Sequence, residues 1–405
     1  MYHIKATARC NFKNSSCFGY MAACSNISTK SANTPNQIED MEAITIKLDR
    51  LLRLNGHMHS VYNCKWNPNY DFLASGARDL TARIWDFNNE YNMCNRHLRL
   101  FHGPEQLLYM HKKKKGVSSV DWNSEGTLLV TGSYDSYIGI WNIDGELVSR
   151  NDSDIMRQED PVSVVKWNRE GNLILSAGLD ATTVIWDGHS GEMKQKFNFH
   201  TEPVVDVSWR TNTSFASCSS DKCIHVCELG PNEPVKTFIG HKEQVNAIKW
   251  DPSGQYLASG SDDSTLKIWT MDKDECLLDF KEHQKAVYTI KWSPSGGSAY
   301  PNVNLLLASG SIDGTVRLWD VERNESLHIL SGQGAPVYSV DFSPDGKYIA
   351  SGSLDKYVRI WSTRTGEFIN SYKLSGRIVD VSWNFCGKKI ATCTSDGSLY
   401  VSIWK

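Results

Sequence analysis

The sequence predicts an all-β chain folded as an eight-bladed β-propeller, with the ring closed by a strand from its N-terminal side. Three observations predict it. An aspartate recurs at Asp79, Asp135, Asp180, Asp221, Asp263, Asp313, Asp355 and Asp396, at intervals of 41 to 56 residues. Six residues after it stand Trp85, Trp141, Trp186, Trp269, Trp319 and Trp361, while Cys227 and Ser402 take that place in the fourth and eighth copies. Upstream of each aspartate a second aromatic column runs unbroken through Trp66, Trp122, Trp167, Trp209, Trp250, Trp292, Phe342 and Trp383.

Each copy reads as a small antiparallel sheet. Runs such as Val245 to Trp250, Tyr256 to Ser261 and Thr265 to Trp269 have strand character and are separated by turn residues such as Pro252-Ser253-Gly254. Such a sheet has two apolar faces and cannot bury them alone, so copies must stack radially until the ring closes. The period is that of WD repeats.

Closure makes a specific demand. The chain stops at Lys405, one residue past Trp404, which leaves no outer strand for the last blade. Ile44 to Leu54, partly alternating between apolar and polar, precede the first Gly56-His57 and are where the closing strand is expected. Residues 1–43 are rich in Asn, Ser, Thr and Lys without apolar periodicity, and are expected to be a short disordered tail ahead of a propeller spanning 44–405. Residues 87–116, with the run Lys112 to Lys115, and Ser295 to Asn304 exceed the repeat and are expected to be surface loops. The lysine run also has the composition of a nuclear localisation element, against the plainer reading of a solvated loop.

Composition narrows the function classes. With 43 basic and 46 acidic residues the net charge of −3 gives no general field for nucleic acid, so protein partners are expected and sequence-specific nucleic-acid binding is not. The 11 cysteines are scattered, and Cys64, Cys218 and Cys393 fall within strand-like runs, which fits buried thiols in a reducing compartment. No apolar run approaches the roughly 18 residues of a membrane span, and no membrane association is expected.

Several constellations imitate chemistry. His57, Ser75, Asp79 and Trp85 recur as His241, Ser259, Asp263, Trp269 and as His283, Ser309, Asp313, Trp319. A Ser-His-Asp triad occurs once, in an open geometry. A set repeated along the chain reads instead as a structural tetrad, in which Asp accepts from His, His contacts Ser and Ser reaches the indole. Lys113, Gln158, Gln333 and Leu374 hold the His place in copies two, three, seven and eight, whose blades should be less tightly pinned. Cys223, His225 and Cys227 alternate along one strand, but no second ligand pair accompanies them, so core packing is the expected role and no metal is assigned. No Walker loop, HExxH helix or dinucleotide fingerprint is present. No cofactor and no catalytic residue is therefore assigned, and the chain is read as a non-enzyme.

Beyond the repeat itself, Asp121 to Leu129 with Thr131-Gly132-Ser133-Tyr134-Asp135, Phe215 to Ser219 with Cys223 to Cys227, and Tyr288 to Pro294 resemble the transducin-beta-like corepressor subunits, the Ebi family. The resemblance covers roughly residues 44–405. It implies a nuclear subunit of complexes built on a nuclear-receptor corepressor and a class I histone deacetylase, whose propeller contacts corepressor, histone tails or transcription factors. It also implies a link to the ubiquitin–proteasome system. The family carries an N-terminal LisH domain and an F-box-like segment that serve oligomerisation and corepressor binding. Residues 1–43 show neither, so oligomerisation by that route is not expected.

Partner contacts are expected on the narrow face of the ring. Its lining positions are the residue before each turn Asp and the residue opening each inner strand, neither of which the fold constrains. Tyr and Arg suit interface hot spots, and Tyr62, Arg78, Tyr134, Asp262, Tyr288, Tyr338 and Arg377 are the candidates. The leading function is a scaffold of a transcriptional corepressor complex. The alternative is a substrate-recruiting adaptor of a ubiquitin ligase, which ordinarily needs an F-box or similar docking segment.

Overall fold

The computed structural model describes residues 51–87, 100–101, 116–148, 158–294 and 305–404, all within one unit, Ala43–Lys405. The expected tail 1–43, the first part of the expected closing segment (44–50), the run Lys112 to Lys115 and the Ser295 to Asn304 loop lie outside the described residues.

Every regular element among the described residues is a strand, and the strands form eight antiparallel sheets, seven of four strands and one of three. The three-stranded sheet is the second blade. The inner strands are Val61–Trp66, Val117–Trp122, Val162–Trp167, Val204–Trp209, Val245–Trp250, Val287–Trp292, Val337–Phe342 and Ile378–Trp383, each leading outward into its own sheet. The first three strands of the last blade are Ile378–Trp383, Lys389–Thr394 and Leu399–Ile403, and its fourth is Leu51–Leu54 from the other end of the chain. Leu51 pairs with Ser402 and Leu54 with Leu399. Arg53 donates to Ser398 Oγ at 2.8 Å, and Ser60 Oγ to the carbonyl of Ser395 at 2.6 Å. Lys389 forms an ion pair with Asp71 across the same seam.

The core lies between blades. Val130, Ile138 and Ile140 of the second blade pack against Val162, Val165 and Trp167 of the third, all buried, and each fully buried aliphatic side chain contributes about 1.5–3 kcal/mol. A blade removed from the ring would expose this surface on both sides.

The conserved shape of each copy has a local cause in its turn. In all eight, the residue after the turn Asp has a left-handed backbone: Leu80, Ser136, Ala181, Lys222, Ser264, Gly314, Lys356 and Gly397, with φ between 61° and 88°. That conformation is unfavourable for any side chain with a Cβ. The Asp offsets it by accepting, at 2.8–3.1 Å, the backbone N–H two residues on, from Thr81, Tyr137, Thr182, Cys223, Thr265, Thr315, Tyr357 and Ser398. The aspartate column is therefore complete even where the histidine and tryptophan columns lapse.

The inner strands meet the ring's centre through their third and fifth residues, and these reach across to the next blade. Asn63 accepts from Val120 N–H, Asp121 from Trp167, Asp206 from Ile248, Ser208 from Trp250, Asp341 from Trp383, and Asp380 from Cys64, at 2.8–3.2 Å. Ser119 and Ser339 take the N–H groups of Val165 and Val381. At four junctions the indole of the next blade donates to the carbonyl of the fifth residue: Trp122 to Lys65, Trp209 to Lys166, Trp292 to Lys249 and Trp66 to Ser382, at 2.9–3.1 Å. The second aromatic column thus ties four of the blades to the one before them.

Two outcomes test these assignments. Removing residues 1–54 should lower the thermal midpoint by about 10 °C or more and broaden the transition, whereas removing 1–43 should leave both nearly unchanged. Lys356→Gly, which relieves a left-handed turn on an exposed side chain, should raise stability in denaturant titration by about 0.5–1 kcal/mol.

Candidate functional site

The histidine sets prove to be closed and inward. His57 Nδ1 lies 2.9 Å from Asp79 Oδ2 and its Nε2 2.8 Å from Ser75 Oγ, which also accepts from Trp85 Nε1 at 3.0 Å. His241 and His283 repeat this with Asp263, Ser259 and Trp269 and with Asp313, Ser309 and Trp319, at 2.7–2.9 Å. Burial opposes ionisation of Asp79, Asp263 and Asp313, yet bonds from His, Thr and a backbone N–H outweigh it and hold each carboxyl well below its ordinary range. Burial likewise holds His57 below its usual value, against the pull of Asp79. Each serine is fully buried and hydrogen-bonded on two sides, which leaves no approach for a substrate.

A fourth set escaped the sequence reading. His200 bonds Asp221 at 2.8 Å and Ser217 at 2.9 Å, with Cys227 in the tryptophan place. It stands 21 residues before its Asp, where His57 and His241 stand 22 before theirs, so a fixed offset misses it. Burial opposes ionisation of Asp221, but His200 together with the backbone N–H groups of Cys223 and Thr201 outweighs it and holds the carboxyl down to about 2. Next to it, His225 sits with its ring 4.4 Å from that of His200, and burial, then His200, pushes its pKa down to about 4. Of Cys223, His225 and Cys227, only His225 comes together with other ligand-type groups, namely His200 and Asp221.

The copies without histidine use weaker or different ties. Gln158 reaches Asp180 and Thr182 at 3.3–3.4 Å. Gln333 accepts from Ser351 at 3.2 Å with its amide turned to donate to the carbonyls of Gly314 and Leu330. In the eighth blade, Tyr372 from the neighbouring outer strand fills the missing tryptophan's role, with its hydroxyl 2.9 Å from Ser402 Oγ.

The candidate partner face is built by a second regular device. In every blade the register between the first two strands shifts at the second residue of the inner strand, which the ladder bypasses. The eight bulged residues are Tyr62, Ser118, Ser163, Val205, Asn246, Tyr288, Tyr338 and Val379. A bulge re-aims its side chain out of the sheet. The residue before each turn Asp is anchored beside it, since its N–H donates to the carbonyl just before the inner strand: Arg78 to Ser60, Tyr134 to Gly116, Asp262 to Gln244 and Ser395 to Arg377, at 2.9–3.1 Å.

The candidates fall into two groups on this rim. The Tyr62 and Tyr134 rings meet edge to face at 6.1 Å, and Arg78 is close enough to oppose the effect of burial, which raises the Tyr62 pKa. Arg377 follows from the eighth blade. Opposite, Tyr288 and Tyr338 lie 5.2 Å apart, and Asn246 donates both to Asp262 at 2.7 Å and to the carbonyl preceding Tyr288. Burial first, and the neighbouring Glu243 and Asp263, raise the Asp262 pKa against the Asn246 bond. Arg78 and Asp262 are exposed and the other five are half-buried.

The WD domain, G-beta repeat model matches eight segments, residues 48–86, 104–142, 155–187, 191–228, 232–270, 274–320, 324–362 and 366–401. The chain belongs to the WD-repeat family. It is 54% identical over 349 residues to the mouse F-box-like/WD repeat-containing protein TBL1X and 52% identical over the same length to human TBL1Y, covering 86% of this chain and 66% of each relative. It therefore spans just under two thirds of the length of these curated relatives. The Arabidopsis thaliana WD40 repeat-containing protein HOS15 is 45% identical, covering 86% of this chain and 57% of its own. The expected resemblance to the transducin-beta-like proteins holds. Among solved structures, the C-terminal WD40 domain of Sif2 superposes with a TM-score of 0.74 at 24% identity, covering 88% of this chain and 99% of that one. The designed Ika8 protein gives 0.72 at 20% identity, covering 87% and 99%, and both show the eight-bladed fold.

A WD-repeat propeller of this kind is a scaffold for protein–protein interaction, and the buried tetrads hold it together. His241→Ala leaves Asp263 and Ser259 short of a buried partner and should cost about 2–3 kcal/mol in denaturant titration. Gln333→Ala, at a longer and weaker tie, should cost less than half as much.

Proposed function

We propose that this chain is a non-enzymatic scaffold of a nuclear transcriptional corepressor and histone deacetylase complex. Its bulged rim binds segments of a corepressor, of histone tails or of transcription factors. The observation that carries the reading is the rim itself: eight bulges free one position per blade from the ladder, and tyrosines occupy three of them. Large amphipathic side chains at a concave ring mouth suit capture of an extended segment, since they supply contact area at low entropic cost. The resemblance to TBL1X and TBL1Y supports the choice of complex. The relatives' F-box-like designation favours, as a second reading, the recruitment of substrates to a ubiquitin ligase.

The test is to tag the chain at its C-terminus, capture it from nuclear and cytoplasmic extracts, and identify what co-purifies beside a deacetylase assay. A corepressor and deacetylase activity in the nuclear fraction are expected, and ligase subunits in their place would overturn the reading. Tyr288→Ala with Tyr338→Ala should reduce that capture about tenfold or more while shifting the thermal midpoint by less than about 3 °C. An equal loss of stability would assign the pair to packing.

A further inference from the structure

One junction between blades is built differently from the rest, and it is the one that closes the ring. At five junctions the next-to-last position of the inner two-strand ladder is a glycine: Gly76, Gly132, Gly260, Gly310 and Gly352. A Cβ there would lie 2.5–3.0 Å from Val117, Val162, Val287, Val337 or Ile378 of the following inner strand. The fourth residue of that following strand completes the contact and is aliphatic: Val120, Val165, Ile290, Val340 and Val381. Two junctions carry Ala177 or Cys218 in the glycine place and still face aliphatic Val207 or Ile248. Only between the eighth blade and the first are both places cysteine, with Cys393 for the glycine and Cys64 for the aliphatic residue. Because Cys218 is accommodated opposite isoleucine, sterics do not account for the second cysteine.

The two thiols are close neighbours, and both residues are fully buried. The carboxylate of Asp380 joins them, and the three ligand-type atoms lie within 4.8 Å of one another. Asp380 is fixed by what it accepts, from Cys64 N–H at 3.1 Å and Ser339 Oγ at 2.8 Å. It belongs to the set that converges on the ring's centre, where Lys65 feels Asp121, Asp380 and Asp341 at once. Asp380 is only partly buried, so the central channel gives access to the cluster.

We propose that Cys64, Cys393 and Asp380 bind a thiophilic divalent cation of the zinc class at the seam where the ring closes. Two metal–sulfur bonds form and the two thiol protons leave to solvent, so one dication replaces two protons and the charge balance between Asp380 and Lys65 is unchanged. Tetrahedral ligation at metal–sulfur distances of about 2.3 Å places ligand atoms about 3.4–3.8 Å apart, so the side chains close by at most about 1.4 Å. The fourth position faces the channel and takes water. The ion joins the inner strand of the first blade to the first two strands of the last, and so reinforces a closure that otherwise depends on Leu51–Leu54 and a few polar contacts.

The experiment uses the full chain, reduced and stripped of metal, titrated with Cd²⁺ for its thiolate charge-transfer absorbance and with Zn²⁺ for thermal stability. One equivalent of Cd²⁺ should produce the band, and Zn²⁺ at about a hundredfold excess over its Kd should raise the thermal midpoint by about 5 °C. Cys64→Val with Cys393→Gly rebuilds the arrangement of the other junctions. This variant should fold, lose the equivalent of bound Cd²⁺ and lose the Zn²⁺ shift, while Asp380→Asn weakens binding about tenfold or more. The same band and shift in the rebuilt variant would place the metal elsewhere and overturn the proposal, as would their absence from the parent chain.

Discussion

A propeller has to dispose of eight inward edges. The inner strand of each blade is paired on one side only, and its other N–H groups point toward the blade before it, where unpaired groups would be costly to bury. Here, at five of the eight junctions, those groups are capped by side chains: the third or fifth residue of one inner strand accepts from the fourth or sixth residue of the next. Asp121 holds the Trp167 N–H and Asp380 holds the Cys64 N–H. The apolar packing between blades brings the strands close enough for this, and the capping fixes their register. Rim, bulges and tetrads all hang from that registered inner ring.

The tetrad places the same economy at the outer side of the blade. One buried histidine satisfies an aspartate and a serine on different strands, and the serine satisfies the tryptophan. Loss of one member does not dissolve the rest, as the fourth and eighth blades illustrate. In the fourth, Cys227 replaces the indole and the His225 ring comes against His200. In the eighth, Tyr372 crosses from the preceding blade to meet Ser402. The turn aspartate tolerates no such exchange, because the left-handed residue after it is present in all eight copies.

The repeat, the number of blades and the need for an N-terminal closing strand were legible in the sequence because each rests on residue identity at a fixed spacing. The tetrad partners were legible for the same reason, and His200 was not, because its loop is one residue shorter. The bulge was invisible although the positions it frees had been singled out, since a register shift leaves no composition of its own. The capping residues were hidden in plain alternation: Asn63 and Lys65, or Ser119 and Asp121, look like the solvent face of an amphipathic strand. They face the ring's centre instead, where charges of both signs converge. The seam cysteines were read only as buried thiols, because their pairing joins residues from opposite ends of the chain.

Capping by the preceding blade gives the ring a direction, and that direction has a consequence for biosynthesis. As the chain leaves the ribosome, the second, third, fifth and eighth blades each find their caps already made by an earlier neighbour. The first blade does not: its Cys64 N–H waits for Asp380, and the strand Leu51–Leu54 waits for Leu399–Ile403, both in the eighth blade. The first blade made is thus the last to be completed, and the nascent propeller is an open arc with an uncapped leading edge until the eighth blade has formed. Recognition of that edge by a chaperone, or its pairing with another nascent chain, is confined to the interval before the eighth blade docks.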